Sequence, residues 1–120
     1  MIGSIPKFFN EISKISKELF RVLKEDHYCA ILIGDTRKAQ HYISLSYYLF
    51  RTFLKTGFVF KEEIIKAQHN CVYSKRWVKA AEKYNFYLIM HEHLFVFRKP
   101  KEDENKSRIK YSSYNELFEI

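Results

Sequence analysis

Apolar residues recur at intervals of three and four through the first part of the chain. This spacing predicts an amphipathic helix that packs one face against a core. Ser4 is a suitable N-cap for such a helix, and Pro6 fits its first turn. We therefore expect a helix that begins near Ser4, ends near Glu25 and Asp26, and presents one apolar face, formed by Phe8, Ile12, Ile15, Leu19, Val22 and Leu23.

Residues Tyr28–Gly34 form a continuous apolar run without the alternation of a half-exposed strand. Such a run is typical of a strand that is buried on both faces of a parallel sheet. The polar segment Gly34–Lys38 follows, and a second apolar stripe then predicts a helix over about Gln40–Thr56. Gly57 fits the C-cap of this helix because glycine tolerates positive φ. Strand, polar loop and helix in this order predict an α/β crossover.

Two further strands are predicted, over Phe58–Lys66 and Leu94–Arg98. The charged residues Lys61–Glu63 interrupt the first of them, which predicts a bulge or an exposed edge. The polar and basic segment Gln68–Lys83 lies between the two strands, and we expect it to project as a loop or short helix. We thus expect residues 1–100 to form an α/β domain that amounts to half of a doubly wound fold, and residues 101–120 to form a charged tail. This tail is expected to be mobile over Lys101–Lys110 and to dock weakly through Tyr114–Phe118.

The first predicted strand is too apolar to lie at a free edge of the sheet. An exposed apolar edge pairs readily with another strand. The sequence therefore predicts association, either with a missing segment that completes the sheet or with further copies of the chain.

Charge narrows the choice of partner. The chain has 21 Lys and Arg against 14 Asp and Glu, for a net charge of +7. This balance favours a polyanion such as DNA, although many basic proteins have no such partner. Basic residues next to an aromatic ring can neutralise phosphates and stack on a base. The alternative is that the tryptophan packs a short helix onto the body and the charges are solvated. The candidate residues are Lys38, Lys75, Arg76, Trp77 and Lys79.

The two cysteines, Cys29 and Cys71, are not in a CxxC motif, and no secretory signal precedes them. These features indicate a reduced, cytoplasmic protein, associated with the nucleoid if it binds DNA. No apolar run approaches the length of a membrane span, so no membrane partner is expected. The pairs His69 with Cys71 and His91 with His93 lack the spacing of a standard zinc motif, so no metal site is predicted.

Three segments together resemble the N6-adenine and N4-cytosine amino-methyltransferases of DNA. They are the Gly-Asp-Thr-Arg motif that ends at Arg37, the segment Lys61–Asn70, and the closing segment His91–Lys99. The resemblance extends over roughly Phe8–Pro100. It implies a partial Rossmann-like methyltransferase fold with two main helices. The three predicted strands then correspond to strands five, six and seven of a seven-stranded sheet, whose last strand runs antiparallel.

The departures from this family concern its chemistry. Family members bind S-adenosylmethionine through a glycine-rich motif, but Gly3, Gly34 and Gly57 are not clustered. The catalytic segment of the family contains two adjacent prolines before an aromatic residue that stacks on the flipped base. The prolines here are Pro6 and Pro100. No catalytic residue is therefore predicted, and we expect S-adenosylmethionine to bind only in a completed enzyme.

The resemblance places Asp35, Thr36 and Arg37 beside the target-base pocket, since they follow the fifth strand. Ligands of open α/β sheets bind outside the carboxyl ends of the strands. His41 is expected to begin the next helix and to face the same pocket. The alternative is ordinary loop chemistry, in which Asp35 or Thr36 caps that helix. His69 and Asn70, at the end of the sixth strand, are candidates for DNA contact or solvated loop residues.

Three hypotheses follow. The chain is part of a split or truncated DNA amino-methyltransferase that binds DNA and needs a missing N-terminal half. It is a non-catalytic module that retains DNA or protein binding. Or it is an inactive remnant of an enzyme.

Overall fold

The computed structural model describes residues 5–67 and 74–118. The helices and strands, in chain order, are α1 (Ile5–Val22), β1 (Tyr28–Ile33), β2 (Thr36–Lys38), β3 (His41–Ile43), α2 (Leu45–Thr56), β4 (Val59–Ala67), α3 (Ser74–Tyr84), β5 (His91–Arg98) and α4 (Tyr114–Phe118), with 3₁₀ turns at Lys106–Arg108 and Lys110–Ser112.

The main sheet has the strand order β1-β5-β4, and β5 runs antiparallel to both neighbours. This confirms the mixed α/β fold and the antiparallel closing strand that the sequence predicted. The register shifts between Phe60 and Glu62, so the predicted interruption of the second long strand is a bulge. β5 begins at His91, three residues before the predicted start.

The core lies between one face of this sheet and helices α1 and α2. It is largely aromatic, because Phe53, Phe58 and Phe97 are almost completely buried and their rings contact one another. Ile12 of α1 joins this cluster and Phe8, Leu19 and Leu23 pack against it, as the apolar spacing predicted. Ile15 and Val22, which the same spacing placed on this face, are exposed, so the prediction is wrong for these two. Gly57 ends α2 with a φ of 132°, which confirms it as the C-cap.

The opposite face of the sheet carries an apolar row across all three strands. Leu32 of β1 pairs with Leu94 of β5, which pairs with Ile64 of β4. Leu32 is 48% exposed and Ile64 is 51% exposed. We call this surface the open face. β1 is therefore not buried on both faces within this chain, and that prediction is wrong here because no layer of the described residues covers the open face.

The predicted start of the second helix is also wrong. Residues 36–43 form the small antiparallel hairpin of β2 and β3, and α2 begins only at Leu45. His41 therefore lies in a strand and does not begin a helix. The two residues of the hairpin turn, Ala39 and Gln40, have φ values of 49° and 71°. Two positive φ values are the mark of a type I′ turn.

The segment after residue 100 contacts the body of the domain. Arg98 donates to Glu104 through both terminal nitrogens, at 2.8 Å and 2.6 Å. Tyr114 and Phe118 of α4 pack against the core, and the Tyr114 hydroxyl accepts a hydrogen bond from Arg51. No helix among the described residues is long and apolar enough to cross a membrane.

Candidate functional site

A cavity of about 380 Å³ lies at the carboxyl end of β1. Three parts of the chain form its wall. They are the residues that follow β1, the segment that leads into β5, and the indole of α3. The lining residues are Gly34, Asp35, Thr36, Arg37, Trp77, Phe86, Leu88, Ile89, Met90, His91 and Glu92. Its volume falls within the roughly 300–1,000 Å³ of small-molecule sites. The cavity brings together two sets of candidates from the sequence. Asp35, Thr36 and Arg37 were expected to border a base pocket, and Trp77 was a candidate for nucleic-acid contact.

Asp35 is the most constrained polar group of the site, with only 3% of its side chain exposed. Oδ1 accepts a hydrogen bond from the Ser46 amide at 2.8 Å, and Oδ2 accepts from the Tyr42 hydroxyl at 2.6 Å and the Ser46 hydroxyl at 3.0 Å. Burial alone would raise the pKa of this carboxyl group. The hydrogen bonds from Tyr42 and Ser46, with the nearby His93, outweigh it and lower the pKa of Asp35. Asp35 thus also holds the start of α2, as the loop alternative predicted.

The same contact changes Tyr42. Burial and then the hydrogen bond to the Asp35 carboxylate raise the pKa of the Tyr42 phenol to about 12. The phenol therefore remains a hydrogen-bond donor to Asp35 throughout the physiological pH range.

Arg37 connects two parts of the cavity wall, the residues that follow β1 and the segment that leads into β5. Its guanidinium donates to the backbone carbonyl of Tyr87 at 2.6 Å and lies 4.2 Å from the ring centroid of Phe86. The Arg37 Nε atom is buried and has no hydrogen-bond partner within the described ranges. A buried donor without an acceptor is costly, so the packing of Arg37 in this wall carries an energetic penalty.

A group of ionisable side chains adjoins the cavity beside Asp35. His93 lies between two carboxylates, with Nε2 3.3 Å from Asp35 Oδ2 and Nδ1 2.5 Å from Glu63 Oε2. One ligand atom each of Asp35, His91 and His93 lies within 4.8 Å of the others. Although the sequence spacing predicted no metal site, the fold brings together three side chains of the types that ligate metal ions.

The basic residues of α3 are solvent-exposed. Lys75, Arg76 and Lys79 are exposed, and Trp77 is 45% exposed while its ring meets Phe86 at 6.5 Å. The predicted short helix is therefore present. The indole contacts the loop at Phe86, as the packing alternative expected, and it also lines the cavity.

Other candidates lie elsewhere. His41 and Lys38 are exposed in the hairpin, and neither lines the cavity. His41 therefore does not border the pocket as expected. His69 and Asn70 lie outside the described residues.

No sequence pattern predicted Glu63 and Ser46 as partners of the site residues. Glu63 is 30 positions from His93 in the chain, and only the sheet register brings them together. The sequence did carry a signal for the two histidines of the site, because His91 and His93 are two residues apart and therefore lie on one face of a strand.

The chain matches a family model described as DNA methylase over residues 2–119. No curated protein matches it.

Among solved structures, the chain is similar to a DNA modification methylase from Thermus thermophilus. Against its selenomethionine derivative the TM-score is 0.64 at 22% identity, with 83% of this chain and 40% of that chain covered. Against the complex of the same protein with S-adenosyl-L-methionine the TM-score is 0.63 at 20% identity, with 88% and 43% covered. The chain thus spans about two fifths of the length of these structures, and the likeness shows a shared fold.

Proposed function

Because this chain belongs to the DNA methylase family whose model matches residues 2–119, we propose that it is part of an S-adenosylmethionine-dependent DNA amino-methyltransferase. The substrate would be the exocyclic amino group of adenine or cytosine. The sequence contains neither the glycine-rich nor the double-proline motif of the family. The groups that bind cofactor and perform the transfer would therefore come from another segment, on this chain or a second one.

The cavity at the end of β1 is the observation that carries this proposal. An enzyme that modifies a base in duplex DNA must turn it out of the stack into a pocket with aromatic surfaces and hydrogen-bonding groups. Trp77 and Phe86 supply aromatic surface, and Asp35 and Arg37 supply polar groups in the wall. This chain would form one wall of the base pocket, and the completing segment would form the other.

The exposed charges of α3 support a DNA contact next to this pocket. Lys75, Arg76 and Lys79 lie on the helix that also carries Trp77. Lysine and arginine at such a position would neutralise phosphates that flank the extruded base.

The open face supports a completing segment. α/β sheets with parallel strands are normally covered on both faces. Here Leu32 and Ile64 are about half exposed on a face that the described residues leave uncovered. A second layer of helices from the missing part of the domain would bury this row.

Neutralising the charges of α3 tests the DNA contact. The triple variant of Lys75, Arg76 and Lys79 to glutamine should weaken binding to duplex DNA at least tenfold. The plot of log K against log salt has a negative slope, and the magnitude of this slope should decrease by about 2.7 because three phosphate contacts are lost. The matched control changes three exposed lysines on and beside α1, Lys14, Lys17 and Lys24, to glutamine. An equal loss in both variants would refute a specific role for α3.

Labelled S-adenosylmethionine tests the other half of the proposal. The chain alone should not bind the cofactor, with or without DNA. Binding by the chain alone would refute the need for a completing segment. The alternative is a non-catalytic DNA-binding module, which the exposure of the basic residues of α3 also fits. This alternative would be favoured if the chain binds DNA and no cofactor-binding partner associates with it in a cell extract.

A further inference from the structure

Three side chains with metal-binding atoms converge beside the cavity from two parts of the fold. His91 and His93 are two residues apart on β5, so both point to the same face of the sheet. Ile33, the last residue of β1, pairs with His93, and Asp35 follows two residues later in the segment between β1 and β2. Strand pairing therefore brings the end of β1 beside His93, and hydrogen bonds from Tyr42 and Ser46 hold Asp35 there.

The distances suit a small cation. His93 Nε2 and Asp35 Oδ2 are 3.3 Å apart. Two ligands that each lie about 2.0–2.1 Å from a tetrahedral ion are themselves about 3.3 Å apart. The ligand atom of His91 lies within 4.8 Å of both, so rotation of its side chain would complete the set.

Outer hydrogen bonds orient two of these ligands. A histidine that binds a metal commonly donates its other ring N–H to a carboxylate, which fixes the ring and makes the ligating nitrogen more basic. His93 has this arrangement, because its Nδ1 lies 2.5 Å from Glu63 while its Nε2 faces Asp35. Asp35 is 3% exposed and is held by Tyr42 and Ser46.

We propose that Asp35, His91 and His93 form a binding site for one divalent transition-metal ion, and that Zn²⁺ is the ion they suit best. Two imidazole nitrogens and one carboxylate oxygen favour borderline ions over Mg²⁺ and Ca²⁺. Such ligands generally bind Zn²⁺ more tightly than Co²⁺ or Fe²⁺. Asp35 and His91 also line the cavity, so the remaining coordination position faces that space.

The site would bind its ion whether or not the chain is part of a methyltransferase. The ion would tie the segment after β1 to β5, and thereby fix the wall of the cavity.

Zinc binding by the full chain, stripped of metal with a chelator, tests the proposal. Competition with a chromophoric chelator should give one Zn²⁺ per chain, and a hundredfold excess over Kd should raise the Tm by roughly 10 °C. Mg²⁺ should have no such effect. Co²⁺ should bind with the visible absorption of a nitrogen-ligated site of low coordination number.

Variants identify the ligands. His91→Ala should abolish binding, and Glu63→Gln, which changes only the partner of His93, should weaken it 10–100-fold. His41→Ala removes an exposed histidine of the hairpin and should have no effect. The double variant His69→Ala, Cys71→Ser should also retain binding. Absence of zinc binding, equal binding of Mg²⁺, or unchanged affinity in His91→Ala would overturn the proposal.

Discussion

Arg98, at the end of β5, joins three parts of the chain through its guanidinium group. It donates to both carboxylate oxygens of Glu104 and, at 3.2 Å, to Asp26 before β1. The hydrogen bonds from Arg98, followed by that from the Lys101 amide, lower the pKa of Glu104 to about 2. The carboxylate therefore holds the segment after residue 100 against the sheet in its ionised form.

Stability should fall in acid because of this pair. A carboxyl group whose pKa is lower in the folded state stabilises the fold above its unfolded pKa, and this contribution is lost as pH falls. The window here runs from about 4.5 down to about 2. Glu104→Gln should lower the free energy of unfolding by about 1 kcal/mol at pH 7, allowing for partial solvent screening. The difference from the wild type should shrink through that window in urea unfolding.

The neighbouring exposed carboxylate provides the control. Glu102→Gln should leave the pH dependence of stability unchanged. A difference between wild type and Glu104→Gln that stays constant from pH 7 to pH 2 would contradict an ionic role for Glu104.

At the same scale, the sequence predicts some site residues and not their partners. An apolar run that ends abruptly in Gly34 and Asp35 predicts where a strand stops and polar groups begin, and both residues line the cavity. Contacts such as that between His93 and Glu63 depend on how β5 pairs with β4. Strand register across a long connection has no local signal in the sequence, so this contact could not be predicted.

At the scale of elements, the sequence of the turn between β2 and β3 gives no indication that a hairpin forms there. Type I′ turns usually show Asn-Gly or Asp-Gly, because both central residues need positive φ. Here Ala39 and Gln40 occupy those positions at 49° and 71°. Their residue types carry no turn signal, so the sequence prediction extends the helical stripe of α2 back over the hairpin. α1 and the long strands have many apolar positions, and their predicted bounds agree with the structure within a few residues, as does the predicted end of α2 at Thr56.

Replacing Ala39 and Gln40 by Asn and Gly should stabilise the protein. Left-handed backbone costs an ordinary residue about 1–2 kcal/mol, and the greater freedom of glycine in the unfolded chain offsets part of the gain. We expect a net increase of about 1 kcal/mol in the free energy of unfolding, measured with urea. Gln40→Ala, which lacks the tolerance of glycine, should not reproduce it. A loss of stability in the Asn-Gly variant would contradict the turn geometry.

At the scale of the whole molecule, the sheet has one covered and one open face. The sequence predicted a neighbour at the edge of the first strand, and β1 lies at an edge of the described sheet. The open face is a second surface at which a neighbour can pack. Leu32, Leu94 and Ile64 form the row that such a neighbour would bury. What the sequence could not predict is which face would be open, because that depends on the side on which α1 and α2 pack.

The isolated chain should self-associate through this face. Sedimentation at about 100 µM should show dimers or larger species, and Leu32→Lys with Ile64→Lys should shift them to monomer. Both side chains are about half exposed, so the free energy of unfolding should fall by less than about 1 kcal/mol. The control is Ile15→Lys with Val22→Lys, two exposed apolar residues of α1. A wild-type chain that sediments as a monomer would contradict this prediction.

The central position of β5 also has a consequence for synthesis. β1 and β4 do not pair with each other, and each is hydrogen-bonded to β5, the last strand of the sheet in the chain. On the ribosome, neither strand can acquire its partner until residue 98 has left the exit tunnel. The nascent chain must therefore carry first β1 and later also β4 without their partner until β5 emerges, and unpaired strands of this kind are prone to aggregation.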